Sequence, residues 1–167
     1  VTLSAIPLIA IMMFRGFAVM HDASHKAVHK NRLINDSLGV FYGAFCFLPF
    51  RYWKNSHLQH HYWSGNVEHA PVMALVKAFP SLDENKKRLH NFIWKSWLPF
   101  LAIVQNIVFW RLAVAQVKTK EFNFFHLADI VAPIILWITL GVLATNMAAI
   151  TSLLIGVIVY LMAVELV

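Results

Sequence analysis

Three apolar runs, residues 1–20, about 127–145 and about 147–166, each approach the length at which a helix crosses a bilayer. A hydrocarbon core about 30 Å thick is crossed by about 20 helical residues, each rising about 1.5 Å. No water reaches that layer, so the backbone N–H and C=O groups of each run must bond within the run itself, as they do in a helix. Composition agrees, because 59% hydrophobic and 13% charged residues, with a mean hydropathy of +0.62, fall outside the range of soluble globular domains. Pro133 sits inside the second run and is tolerable there, since membrane helices accept kinks. The link around Asn146 is long enough only for a tight turn, so the last two runs are expected to form an antiparallel hairpin. Residues 1–20 read as a membrane helix and not a signal peptide, because Arg15 interrupts them, no basic leader precedes them and no small-residue cleavage site follows. The expectation is an all-α integral membrane protein with about three transmembrane helices. No linker, low-complexity tract or fixed-period repeat divides residues 1–167, which read as a single unit, a fragment incomplete at both ends.

Charge supplies an expected topology. Every Lys and Arg except Arg15 lies between Lys26 and Lys120, and none follows. The positive-inside bias puts that stretch on the cytoplasmic side, with Lys30, Lys54, Lys87 and Lys118 together and Asn146 opposite. Residues 92–117 are apolar enough to suggest another span, but one crossing would separate the Lys86-Lys87-Arg88 cluster from Lys118 and Lys120. Lys95, Pro99, Gln105, Asn106 and Arg111 interrupt the run, and Trp94, Trp97 and Trp110 suit a headgroup layer, so a re-entrant or interfacial helix pair is expected. Residues 38–50 are too short to span and read the same way.

Within this basic stretch lie two histidine clusters. His21 and His25 follow directly on the first apolar run, in HDASHKAVH. Positions four apart on a helix lie about 40° apart around its axis, so both rings face one way. His29 continues the stripe, but about 12 Å along the axis from His21, too far for both to bind one ion. In HLQHH, His57, His60 and His61 at i, i+3 and i+4 gather within a sector of about 100°. The lone cysteine, Cys46, excludes a CxxC site or an intrachain disulfide, so a metal here rests on nitrogen or oxygen, and imidazole suits zinc, copper, iron and nickel. Five or six histidines exceed the needs of one tetrahedral zinc. Asp22 is a candidate partner for a ring's other nitrogen, or a solvated helix-end charge. His90 and His126 each stand alone and read as polar anchors, while His29 and His69 stay open.

HDASH with the NRLINDSLG that follows it, and WKNSHLQHH with the SGNVE beyond, resemble the first two histidine boxes of the membrane fatty acid desaturases, most closely the acyl-lipid branch. The resemblance is strongest from His21 to Glu68 and only hydropathic afterwards. It implies His21, His25, His57, His60 and His61 as ligands of a di-iron centre with dioxygen as co-substrate, introducing a double bond into a lipid acyl chain. It also implies an electron donor of ferredoxin or cytochrome b5 type, and a site at the cytoplasmic face of a bacterial inner membrane or endoplasmic reticulum. Residues 38–50 and 92–117 would roof the site, and their apolar side chains would line an acyl tunnel or anchor in the headgroups. No nucleic-acid partner is expected.

The sequence departs from the family pattern in one respect: a third HxxHH cluster is not found after His126, so residues 1–167 are expected to be inactive alone, as a fragment whose continuation carries the third box or as a degenerate paralogue. The boxes do not separate desaturation from the chemistry of related di-iron hydroxylases, ketolases or alkane monooxygenases. A zinc-dependent membrane hydrolase is disfavoured by the absence of HExxH, and a metal transporter by histidines placed beside the membrane runs and not at their centres.

Overall fold

The computed structural model describes residues 5–70, 73–120, 122–144 and 146–165, which contain helices and loops and no strand. Three helices have the length and apolarity to cross a membrane: α1, Ala5–Ser24; α7, Phe124–Leu143; and α8, which runs Met147–Glu165. They correspond to the three apolar runs, and Pro133 lies inside α7, buried. α1 is central, packing along both α8 and α2, Arg32–Phe45. Its buried positions Ala10, Met13, Gly16, Met20 and Ala23 recur at three- and four-residue intervals, a single face of a 3.6-residue helix. Small residues bring the backbones together, as is usual where lipid, being as apolar as the side chains, supplies no hydrophobic drive. At Gly156 of α8, a Cβ would stand 2.7 Å from Ile9 Cγ2.

α2 and α3, Phe50–Tyr62, form a bent pair with 106° between them. α2 starts beside the histidines, with its cap Asn31 accepting the Leu33 N–H at 2.8 Å. It then runs down α1 until Cys46 Sγ lies 3.7 Å from the Met13 carbonyl, eight residues or about 12 Å below His21. From that depth α3 returns, so that Lys54 meets Asp36 at 2.8 Å and His57 meets His25 at 2.9 Å. Both ends of the pair therefore lie at one end of α1. The break between α2 and α3 leaves carbonyls without helical partners. Two indoles satisfy them: Trp137 Nε1 donates to Ala44 O at 3.0 Å and Trp110 Nε1 to Phe47 O at 2.9 Å.

Residues 92–117 likewise fall in a pair bent by 106°, α5 (Glu84–Ser96) and α6 (Phe100–Gln116), with Trp97 at φ 53° in the turn. The short α4, Met73–Ala78, and a 3-10 turn precede them. α6 packs along α7 and α8, whereas α5 buries none of its residues. Trp94 and Trp97 are exposed, as interfacial anchors would be, but Trp110 departs from that expectation. It turns inward because the Phe47 carbonyl at the α2–α3 break needs a donor.

Candidate metal centre

The first histidine pair sits where α1 stops. Ala27 N–H bonds to Asp22 O at 3.0 Å and Lys26 N–H to Ala23 O at 3.1 Å, with Lys26 left-handed at φ 61°. These are the two bonds of a Schellman cap, with His25 as the last half-helical residue. The final turn thus still places the His21 and His25 rings 4.8 Å apart between centroids, as a continuous helix would. The cap sends the chain away after His25, so the stripe does not continue to His29. Instead His29 Nδ1 accepts the Asn31 N–H at 2.9 Å, and its own N–H goes to Asn35 Oδ1, which secures the turn into α2.

α3 brings the second cluster over the first. His57 Nε2 lies 2.9 Å from His25 Nε2 and 3.1 Å from His61 Nε2. One nitrogen from each of His21, His25, His57 and His61 falls within 4.8 Å of the others. A single in-plane lone pair on His57 accommodates one good hydrogen bond, not two, so hydrogen bonding does not account for three converging Nε2 atoms. Coordination does, because nitrogens bound to one ion at about 2.0–2.1 Å stand roughly 3 Å apart. The donor set of imidazoles without thiolate fits the first-row metals from iron to zinc.

His57 and His25 are held toward the neutral form that binds a cation. Burial, followed by the neighbouring imidazoles of His21, His61, His25 and His60, pushes His57 down to about 4, and burial with His21 and His61 lowers His25. A ligand imidazole must be neutral, so proton release at His57 is not required near neutral pH. His21 Nδ1 stands 3.1 Å from Asp22 Oδ1, the arrangement that holds the proton on Nδ1 and leaves Nε2 free. Trp53, buried between Phe17 and His57, stacks on the His57 ring at 4.6 Å and 12° and so fixes its plane.

His60 stands at the rim of this group. Its ring is 5.6 Å from that of His61, and its Nδ1 is buried without a hydrogen-bond partner. The remaining histidines are elsewhere. His69 stacks on Trp63 at 4.5 Å with Nδ1 3.2 Å from Asn66 Oδ1, and His90 meets the Phe79 ring edge. His126, read from sequence as a solitary anchor, is half-buried between Phe122 and Tyr52, because the α7 N-terminus packs against the start of α3. Sequence reasoning passed over Trp53 and Asp129. Asp129 had a visible signal, a carboxylate within an apolar run of spanning length.

A model of the family described as fatty acid desaturase matches residues 1–167, and the chain belongs to that family. A Delta(12) fatty acid desaturase of Calendula officinalis is 30% identical over 56 residues, covering 34% of this chain and 15% of that protein. A fatty acid desaturase of Bacillus subtilis (strain 168) is 31% identical over 67 residues, covering 40% and 19%. A Delta(12)-fatty-acid desaturase of Arabidopsis thaliana is 25% identical over 99 residues, covering 59% and 25%. The chain thus aligns with a quarter or less of the length of these relatives. No solved structure matches.

Proposed function

We propose that the protein is an oxidoreductase that desaturates a lipid acyl chain with dioxygen, using iron held by His21, His25, His57, His60 and His61. The observation that carries the reading is the convergence of His21 and His25 with His57 and His61, from two segments more than thirty residues apart, in a chain of the desaturase family. Two irons per chain and acyl-lipid substrates are the finer parts of the proposal. They are supported by the number of histidines and by the resemblance of the two boxes to those of acyl-lipid enzymes.

Iron supplies the oxygen activation that an unactivated CH2–CH2 unit requires, since such a unit offers nothing to an acid or base at neutral pH. The chain's own tasks are to present ligand nitrogens, hold their orientation and bring the acyl chain to them. Asp22 and Trp53 orient His21 and His57. His60, beside His61 with a free buried Nδ1, is the ligand directed to a second ion. The acyl chain enters from the bilayer past exposed apolar side chains such as Phe41 of α2, Phe47 of the α2–α3 turn, and Val104 and Ile107 of α6. The site faces the cytoplasm, where a ferredoxin or cytochrome b5 type donor delivers electrons.

The test is iron content and acyl product of the full-length protein, purified in detergent and supplied with a reduced donor and dioxygen. About two irons per chain and a product two hydrogens lighter are expected. Single alanine substitutions at the five histidines should abolish product at matched expression, while His90→Ala and His126→Ala retain most of it. A stable stoichiometric zinc site without iron, or wild-type product from a folded His57→Ala protein, would refute the reading.

A further inference from the structure

α3 carries the second histidine cluster at one end and is held at the other. Phe50 and Trp53 are its buried residues, and His57 is already half-exposed. The first N–H groups of a helix have no partner within it. α3 starts behind Pro49, which provides no side-chain cap. The Arg51 N–H is taken instead by Asp129 Oδ2, 78 residues later in the chain, at 2.8 Å.

Asp129 lies in α7, its side chain 0% exposed, within a stretch apolar enough to cross a membrane. A carboxylate in such a place is costly, and its position at the N-terminus of another helix is where a negative charge is favoured. The Arg51 Nε is 3.9 Å from Oδ2, and the guanidinium lies over the Phe125 ring, one turn before Asp129. Asp129 Oδ1 makes no hydrogen bond among the described residues, so both engagements of the carboxylate, the N–H bond and the ion pair, run through Oδ2 to Arg51 of α3. Across the helix, Lys54 and Asp36 pair at 2.8 Å, each 13% exposed, tying the same turn to α2.

We propose that Asp129 is a positioning residue for the second histidine cluster: as an external N-cap it sets the direction in which α3 leaves the bundle, and so where His57 and His61 meet His21 and His25. The proposal rests on the metal reading above for its consequence, but not for its geometry. His57 lies six residues, about 9 Å, beyond Arg51, so a tilt of about 10° at the first turn displaces it by about 1.5 Å. A working site tolerates roughly 0.5 Å.

The experiment compares wild type, Asp129→Ala and Asp129→Asn in the full-length protein, with Trp137→Phe as a control that removes a different α7 bond, to Ala44 O. Three quantities are read: iron retained against a chelator, the absorption spectrum of the bound iron, and the distance between spin labels at Leu33→Cys and Tyr62→Cys in the metal-free protein. Both label sites are exposed. Asp129→Ala should retain iron about tenfold less well, with an altered spectrum and a shifted or broadened label distance. Asp129→Asn keeps an oxygen for the Arg51 N–H and should restore the spectrum and the distance. Trp137→Phe should lower thermal stability and leave both unchanged.

A wild-type spectrum and distance in Asp129→Ala would overturn the proposal, and so would an Asp129→Asn protein as displaced as the alanine variant. The asparagine comparison with wild type decides the matter if the alanine variant does not accumulate. A wild-type protein without iron would refute the metal reading, and the label distances would still decide the role of Asp129.

Discussion

Adding one methyl group at Gly39 tests whether the start of α3 is as tightly seated as its buried residues indicate. A Cβ built on Gly39 falls on the Phe50 ring, overlapping Cζ and Cε1. Phe50 is 0% exposed, so the ring has no free space into which to swing. In a helix interior Gly→Ala alone stabilises by about 1 kcal/mol. Overpacking a filled core costs about 1–3 kcal/mol, and the rigid ring here argues for the upper part of that range. The net expectation for Gly39→Ala is a loss of about 1–2 kcal/mol. Gly141→Ala in α7 is the matched control, since nothing lies within 4 Å of its Cβ and only the propensity gain remains. Thermal unfolding of the two full-length variants in one detergent should therefore move in opposite directions, by about 2–4 °C per kcal/mol. Because Phe50 seats the helix that bears His57 and His61, Gly39→Ala should also reduce iron retention, whereas Gly141→Ala should not. Equal melting temperatures and equal iron in the two variants would refute the claim that α3 is seated by this contact.

Two further outcomes follow from charge. Cysteines introduced at Lys30, Lys87 and Lys118 should be labelled by an impermeant reagent from one face of the membrane and Asn146→Cys from the other, with buried Cys46 silent; labelling of positions 87 and 118 from opposite faces would mean that α5 and α6 together cross. Asp83 caps α5 by accepting the Lys86 N–H at 2.9 Å, a bond that holds its carboxyl below the usual aspartate range. Because the folded value is the lower one, the cap is fully present above the ordinary aspartate range and is lost as pH falls through the depressed value. Protection of the Lys86 amide, taken relative to its intrinsic exchange rate at each pH, should fall several-fold in acid and in Asp83→Ala at neutral pH. Asp83→Asn should protect at both, and equal exchange in wild type and Asp83→Ala would remove the cap.

The capacity to cross a bilayer is legible in sequence because its requirements are local: length, apolarity and scarcity of charge mark α1, α7 and α8 directly. The spacing of each histidine box is legible for the same reason, since the four-residue repeat needs only one turn of helix. Even so, local reading carried the first helix too far, extending the stripe to His29. The Schellman turn at Lys26, a residue without the conformational freedom of glycine, ends it and gives no sequence signal. That His25 and His57 meet at 2.9 Å was decided by tertiary structure alone. It depends on the depth at which α2 turns, on the space at Gly39 that admits Phe50, and on the bond between Asp129 and Arg51. The carboxylate in the seventh helix could be seen in the sequence as an anomaly, but its partner could not, because a bond across 78 residues is fixed by the angle between helices and not by any periodicity along them.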